Sequence, residues 1–152
     1  MEPKRLNDLL RVYGPYRFDD TIVKNMLEKH PPIASVDALV IQLEEERNNK
    51  YMENKLKELM RYEFNGLTLG IVFADRCISE LGSMICEQNP DIDVAALIEP
   101  SRSISLRTAK DINCSEIAKS FGGGGHKFAA GFPAPAGLKD MIIDFIFKRG
   151  DQ

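Results

Sequence analysis

The sequence predicts an α/β fold in which helices flank a small mixed β-sheet, with a long helical connector in front of it. Up to residue 60 the apolar residues recur at helical spacing, and from residue 61 they alternate with polar ones. The alternation surrounds Asn65-Gly66, a strong β-hairpin signal. Strand and helix patterns then follow each other to the C-terminus. We therefore divide the chain into a connector region, residues 1–60, and a sheet domain, residues 61–152.

The connector region is predicted to contain two helices. Residues 22–27 carry apolar side chains on one side of a helix that Asp19 or Asp20 can cap. A longer helix begins near Ser35. Its middle, EEERNNK, is polar nearly all round. That pattern is typical either of a solvated face with intrahelical ion pairs or of a helix that connects two bodies.

The first half of the sheet domain is predicted to be a hairpin, a helix and a central strand. The hairpin strands cover residues 61–64 and 67–73, on either side of the Asn-Gly turn. The segment ISELGSMICEQ predicts a helix that ends near Pro90. The segment DVAALIE is almost continuously apolar, which is typical of a strand buried on both faces.

The second half begins with the alternating segment SRSISLRT. Alternation puts Ile104 and Leu106 on one face of a strand, and Ser105 and Arg107 on the other. A short helix, EIAKSF, follows, with Asn113 or Ser115 as its cap. The segment GLKDMIIDFIF predicts an amphipathic helix near the C-terminus.

Overall charge argues against a broad, sequence-independent grip on long nucleic acids. The formal net charge is −3 and the isoelectric point is about 5.5, whereas such a grip needs many cations on one face. A small anion pocket depends on local charge, and residues 102–127 are locally positive. In that stretch two acidic residues stand against five basic ones, namely Arg102, Arg107, Lys110, Lys119 and Lys127.

Cysteine usage and hydropathy indicate a cytoplasmic protein. The three cysteines are widely spaced and form neither a CxxC pair nor a disulfide framework, so we expect buried free thiols in a reducing compartment. No apolar run approaches 18 residues, so we expect no membrane span. The N-terminus has no apolar core of a secretion signal.

The segment GGGGHKFAAGF, residues 122–132, is the most informative in the chain. Ordered glycines lose more backbone entropy than other residues, so four in a row need a reason. A flexible linker is disfavoured because Phe121 and Phe128, which call for a packed environment, flank the run. It is not a P-loop, since Phe128 stands where that motif has Ser or Thr.

We interpret the glycines as a loop whose backbone approaches an anion. Gly122, Gly123, Gly124 and Gly125 supply N–H groups without side chains, and His126 supplies a further donor. If HKFAAG starts a helix, the free N–H groups of that helix point at the same spot, and the two alanines let it pack on the sheet. Arg107 on the preceding strand offers a planar fork for phosphate, and Arg102 is a weaker candidate.

These residues carry a family resemblance. The segment RSISLRT followed by SEIAKSFGGGGHKFAAGF resembles the DHHA1 domain, the C-terminal substrate-binding half of DHH-family phosphoesterases. Within that family the linker and hairpin regions, LNDLLRVYGPYRFDDTIVK and LGIVFADRCISELG, are similar to those of nanoRNase-type oligoribonucleotide phosphodiesterases. The most specific part of the resemblance covers residues 101–132.

The resemblance implies a nucleotide-binding role. Arg107 and His126 would contact the phosphate or the terminal nucleotide of a short oligoribonucleotide, Gly122–Gly125 would line its path, and Ser105 would be a weaker contact. In such enzymes an N-terminal DHH domain of the same protein holds two Mn²⁺ ions through Asp and His ligands. This chain has two histidines and no Asp-His-His triplet, so we assign it no catalytic residue, no metal ligand and no cofactor of its own.

We therefore expect the chain to bind without hydrolysing, as the substrate-binding part of a larger phosphodiesterase whose substrate is short RNA, a cyclic nucleotide or phosphoadenosine phosphate. A second hypothesis is a non-catalytic RNA- or tRNA-binding module, similar to the related domain of alanyl-tRNA synthetases. That version lacks the histidine after the glycines. A third is an assembly module that forms a homodimer through the long helix, although the sparse apolar stripe beyond Leu43 does not favour it.

Overall fold

The computed structural model of the chain describes residues 35–148. The helix predicted over residues 22–27 lies outside this range. Contacts divide the chain into two compact units, residues 1–51 and 52–152, and the second contains the whole sheet. Within residues 35–148, no helix combines the length and the apolar character needed to cross a membrane.

Helix α1, Ser35–Lys57, is the long helix that the sequence predicts. Its polar middle contains side-chain pairs one turn apart. Gln42 donates to Glu46 at 2.9 Å, and Arg47 lies 3.4 Å from Glu44. Each exposed pair of this kind stabilises a helix by about 0.2–0.5 kcal/mol.

A mixed six-stranded sheet with the order β1-β2-β3-β4-β6-β5 forms the centre of the second unit. Strands β2 and β3 are parallel and every other neighbouring pair is antiparallel. The strands are β1 Met60–Phe64, β2 Leu67–Phe73, β3 Val94–Glu99, β4 Ser103–Arg107, β5 Gly124–His126 and β6 Ala129–Pro133. The remaining helices are α2 Ile78–Gln88, α3 Cys114–Ser120 and α4 Leu138–Phe147.

Helices α2 and α3 pack on opposite faces of this sheet. A Cβ on Gly70 would meet Ile85 of α2, and one on Gly82 of α2 would meet Leu97, so α2 covers β2 and β3. On the other face, Cys114 and Ala118 of α3 join a cluster of buried strand residues. That cluster includes Val94, Ala96, Ile104, Leu106 and Ala130. Strand β3 is therefore buried on both faces, as its apolar run predicts.

The helix considered for HKFAAG is not formed. Residues 124–133 form the β5–β6 hairpin, with His126 paired to Ala129 across a two-residue turn. The reason is that β6 completes the antiparallel ladder with β4 along its whole length, from Ser103↔Pro133 to Arg107↔Ala129. A helix here would leave those backbone groups of β4 without partners, and an unpaired buried backbone group is costly.

Candidate functional site

The sheet register brings Arg107 and His126 onto one face. Arg107 of β4 is paired with Ala129 of β6, and Ala129 is paired with His126 of β5. Directly paired residues project from the same side of a sheet. Two strand spacings separate the Cα atoms of Arg107 and His126, which is about 10 Å. The methyl group of Ala129 is the only side chain between them in this row, so a phosphate-sized group placed there is within reach of both.

The turn that carries His126 is fixed by backbone hydrogen bonds from two other elements. The N–H of Thr108, just after β4, donates to the carbonyl of Phe128 at 3.2 Å. The N–H of Cys114, the first residue of α3, donates to the carbonyl of Lys127 at 2.8 Å. The His126 side chain is exposed, and no hydrogen bond to it is found within residues 35–148. The backbone around His126 is therefore fixed, while its imidazole ring is accessible to a ligand.

Three of the four consecutive glycines are required by the fold. Gly122 has φ +81° and ends α3 in a Schellman motif, in which Gly122 N–H donates to Lys119 and Gly123 N–H donates to Ala118. A Cβ on Gly123 would lie 2.1 Å from the carbonyl oxygen of Gly131. Gly125 has φ +141°, and a Cβ there would lie 2.6 Å from the Cα of Ala130. These glycines close α3 onto the hairpin, so the expected anion nest at Gly122 and Gly123 is not formed.

Gly124 differs from its three neighbours. A Cβ built on it meets nothing within 4 Å. Gly124 pairs with Gly131, which pairs with Ser105, so the three lie in a row beside that of Arg107 and His126. All three are half-buried. The result is a patch of sheet without large side chains. At its end, β5 is an edge strand, and no other strand within residues 35–148 pairs with its outward backbone groups.

Arg107 stands at the border between this patch and helix α2. A Cβ on Gly82 of α2 would lie 2.6 Å from the Cγ of Arg107, so the helix packs directly on the arginine stem. Its Nη1 donates to the carbonyl of Leu106 at 3.1 Å. The stem is therefore fixed by packing, and the guanidinium retains N–H groups for a ligand. Gly82 therefore helps to position Arg107, a role that the sequence did not lead us to expect. The one sign of it in the sequence is a glycine inside a predicted helix.

Arg102 does not join this constellation. It lies in the turn between β3 and β4, where its N–H donates to Glu99 at 2.9 Å. Five residues of extended chain separate it from Arg107, which corresponds to about 17 Å. Of the predicted side chains, the structure brings together Arg107, Ser105 and His126.

Two cations of the locally positive stretch are engaged by carboxylates. Lys110 donates to Asp93 at 2.7 Å, and Thr68 N–H donates to the same carboxylate at 2.7 Å. Both hydrogen bonds lower the pKa of Asp93, the one from Lys110 contributing most. Lys127 pairs with Asp111 and lowers the pKa of that carboxyl in the same way. Arg107 is thus the basic residue of this stretch that lies in one row with His126.

The chain is similar to known proteins. Residues 77–149 match the DHHA1 domain. The chain is 34% identical over 151 residues to the oligoribonuclease NrnB of Bacillus subtilis (strain 168); this covers 97% of the chain and 38% of that protein. The chain thus spans well under half of its curated relative.

Two solved structures resemble the chain. A crystal structure of an uncharacterized protein from Helicobacter pylori G27 has a TM-score of 0.48 and 15% identity, over 96% of this chain and 44% of that one. A pGpG-specific phosphodiesterase, PggH of Vibrio cholerae, has a TM-score of 0.49 and 10% identity, over 77% and 43%.

Proposed function

This chain carries the DHHA1 domain of a DHH-family phosphoesterase, and on that premise we propose that it holds the phosphate of a short oligoribonucleotide or nucleotide on the β4–β6–β5 face. The observation that carries the proposal is the paired row Arg107–Ala129–His126. It offers one planar, permanently charged fork and one imidazole on the same side of a sheet.

The chemistry of the row suits a phosphate. A guanidinium binds phosphate oxygens through two parallel hydrogen bonds, which fixes orientation as well as charge. The imidazole of His126 adds a donor on the other side of the phosphate. The Cα of His126 lies about 10 Å from the Cα of Arg107. Gly124, Gly131 and Ser105 supply the neighbouring surface, where the absence of large side chains lets a ribose or backbone approach closely.

Hydrolysis is assigned to a separate domain. Within residues 35–148, no group of three or more His, Cys, Asp and Glu side chains could hold a metal ion. These residues therefore do not fit the Mn²⁺ that the resemblance implies. We place the metal in an N-terminal DHH domain of a longer protein. The three free thiols support a reducing compartment such as the cytoplasm.

The direct test is an NMR or calorimetric titration of the chain with a 5′-phosphorylated diribonucleotide and with its dephosphorylated counterpart. We expect binding that depends on the phosphate. Arg107→Met keeps the stem against Gly82 but removes the guanidinium, and we expect affinity to fall about tenfold or more, as for loss of a charged hydrogen bond. His126→Ala should weaken binding similarly.

Arg102→Met is the matched control, because Arg102 lies at the far end of β4 and its loss should leave affinity unchanged. Equal binding of both dinucleotides, or equal effects of the two arginine variants, would contradict the proposal. Salt dependence separates it from the tRNA-binding alternative. One or two phosphate contacts give a shallow slope, whereas a long footprint gives a steep one. Strong Mn²⁺-dependent cleavage by this chain would refute the assignment of hydrolysis to another domain.

A further inference from the structure

A second row of paired residues lies beside the row of Arg107 and His126 on the same face of the sheet. It consists of Ser105, Gly131 and Gly124, and Ser105 is its polar member. Ser105 and Arg107 are two residues apart on β4, so their side chains project from the same side and their Cα atoms are about 7 Å apart. The Ser105 side chain is half-buried. Its hydroxyl has no hydrogen-bond partner in the described part of the chain, so it is available to a ligand.

The neighbours of this hydroxyl leave room on one side. Leu97, the partner of Ser105 on β3, lies beneath helix α2, where a Cβ on Gly82 would come within 3.1 Å of Leu97 Cδ1. On the other side, Gly131 and then Gly124 carry no side chain. A ligand therefore reaches the Ser105 hydroxyl over the two glycines, with α2 as a wall behind it.

The arrangement of the two rows suits a phosphate and the sugar that bears it. With a 5′-phosphate held between Arg107 and His126, the ribose of the same nucleotide is the group that extends over the neighbouring row. The 3′ oxygen of that ribose is esterified in an oligoribonucleotide, so its free hydroxyl is the one at the 2′ position. A serine hydroxyl can donate to or accept from that group, which is what distinguishes RNA from DNA at a single site.

We propose that Ser105 hydrogen-bonds the 2′-hydroxyl of the phosphate-bearing nucleotide, and that the site thereby selects ribonucleotides over deoxyribonucleotides. This inference rests on the proposed phosphate site and adds the sugar to it. Discrimination comes from a single neutral hydrogen bond, so the expected preference for ribose is about three- to tenfold in affinity.

The test is a calorimetric titration of the chain with two ligands, a 5′-phosphorylated diribonucleotide and its analogue with a 2′-deoxy sugar at the phosphate-bearing nucleotide. We expect the parent chain to bind the deoxy ligand about three- to tenfold more weakly. Ser105→Ala should weaken the ribo ligand by the same factor and leave the deoxy ligand unchanged, so that the variant binds both alike. A general structural disturbance would instead weaken both ligands equally, because only a direct contact couples the two changes.

Ser103→Ala is the matched control. Ser103 is on the same strand and the same face as Ser105, but its Cα is about 14 Å from that of Arg107, one row further from the phosphate. This variant should retain the full preference for the ribo ligand.

Two results would overturn the assignment of Ser105: equal binding of both ligands by the parent chain, or a preference that persists in Ser105→Ala. In either case the dephosphorylated diribonucleotide shows whether the phosphate site itself remains. If it binds more weakly than the phosphorylated one, the proposed function stands and the sugar contact alone is wrong. If removing the phosphate makes no difference, the proposed function is wrong and the sugar contact fails with it.

Discussion

The two faces of strands β4, β5 and β6 are made by alternate residues of the same segments, yet they differ in nearly every physical property. On one face Ile104, Leu106 and Ala130 are buried under α3. On the other, Ser105, Gly131 and His126 are half-buried or exposed. The first face holds the hairpin to the body of the domain. The second face is accessible, and the packing of the first face against α3 fixes its backbone.

This difference separates stability from binding. Because β5 and β6 pack on the α3 side, their side chains on the opposite face can be chosen for a ligand without loss of core contacts. On β4, the stem of Arg107 also packs against α2. Sites on regular elements are held more precisely than sites on loops. Substitutions at adjacent positions should therefore have different consequences, and three comparisons, from the largest expected effect to the smallest, test that separation.

The largest contrast is expected between Gly123 and Gly124. Gly123→Ala places a methyl group 2.1 Å from the Gly131 carbonyl oxygen and 2.5 Å from Phe132 Cβ. Overpacking against backbone should cost more than about 3 kcal/mol of unfolding free energy or prevent folding. Gly124→Ala meets nothing, so its stability should stay within about 0.5 kcal/mol while affinity for the phosphorylated dinucleotide falls. Urea denaturation and the titration measure the two effects, and equal destabilisation would show that the run is required throughout.

A second contrast compares neighbours on β4. Leu106 is 3% exposed and belongs to the α3 cluster, so Leu106→Ala should cost about 2–3 kcal/mol in the same denaturation experiment. Ser105→Ala should change stability by less than about 0.5 kcal/mol. If Ser105→Ala is the more destabilising of the two, our assignment of the faces is wrong.

The smallest expected effect is a loss of stability at alkaline pH, and it arises from a residue on the α3 side. Burial raises the pKa of the Cys114 thiol from 9.0 to about 11. The folded chain then keeps the thiol protonated where the unfolded chain ionises it. This contribution to stability is complete below pH 9.0 and is lost as the pH rises towards 11. The loss should be about 2 kcal/mol, seen as a falling denaturation midpoint that flattens in Cys114→Ala. An unchanged slope in that variant would assign the titration to other groups.

Local sequence signals were sufficient for several elements. Asn65-Gly66 forms the predicted hairpin turn, with φ of 49° and 78°. The helix predicted over ISELGSMICEQ has those bounds, Ile78–Gln88. Asn113 caps α3 by accepting a hydrogen bond from Ser115 N–H at 3.1 Å. In each case the decisive interactions join residues a few positions apart, so the sequence already contains them.

The glycine segment shows where such signals stop. The order of residues in 122–132, the alternation of the preceding strand and the family resemblance led us to expect Arg107 and His126 in one site. Whether HKFAAG becomes a helix or a strand depends on β4, which lies about twenty residues earlier and offers a ladder to complete. The same holds for Lys110 and Lys127, whose carboxylate partners are found only through the fold. The sequence by itself determined the α/β class and most of the element order, and it pointed to Arg107, Ser105 and His126 as candidates for one site. The tertiary structure decided which glycines serve packing and which cations remain for a ligand, because both depend on backbone and charge contacts between segments distant in sequence.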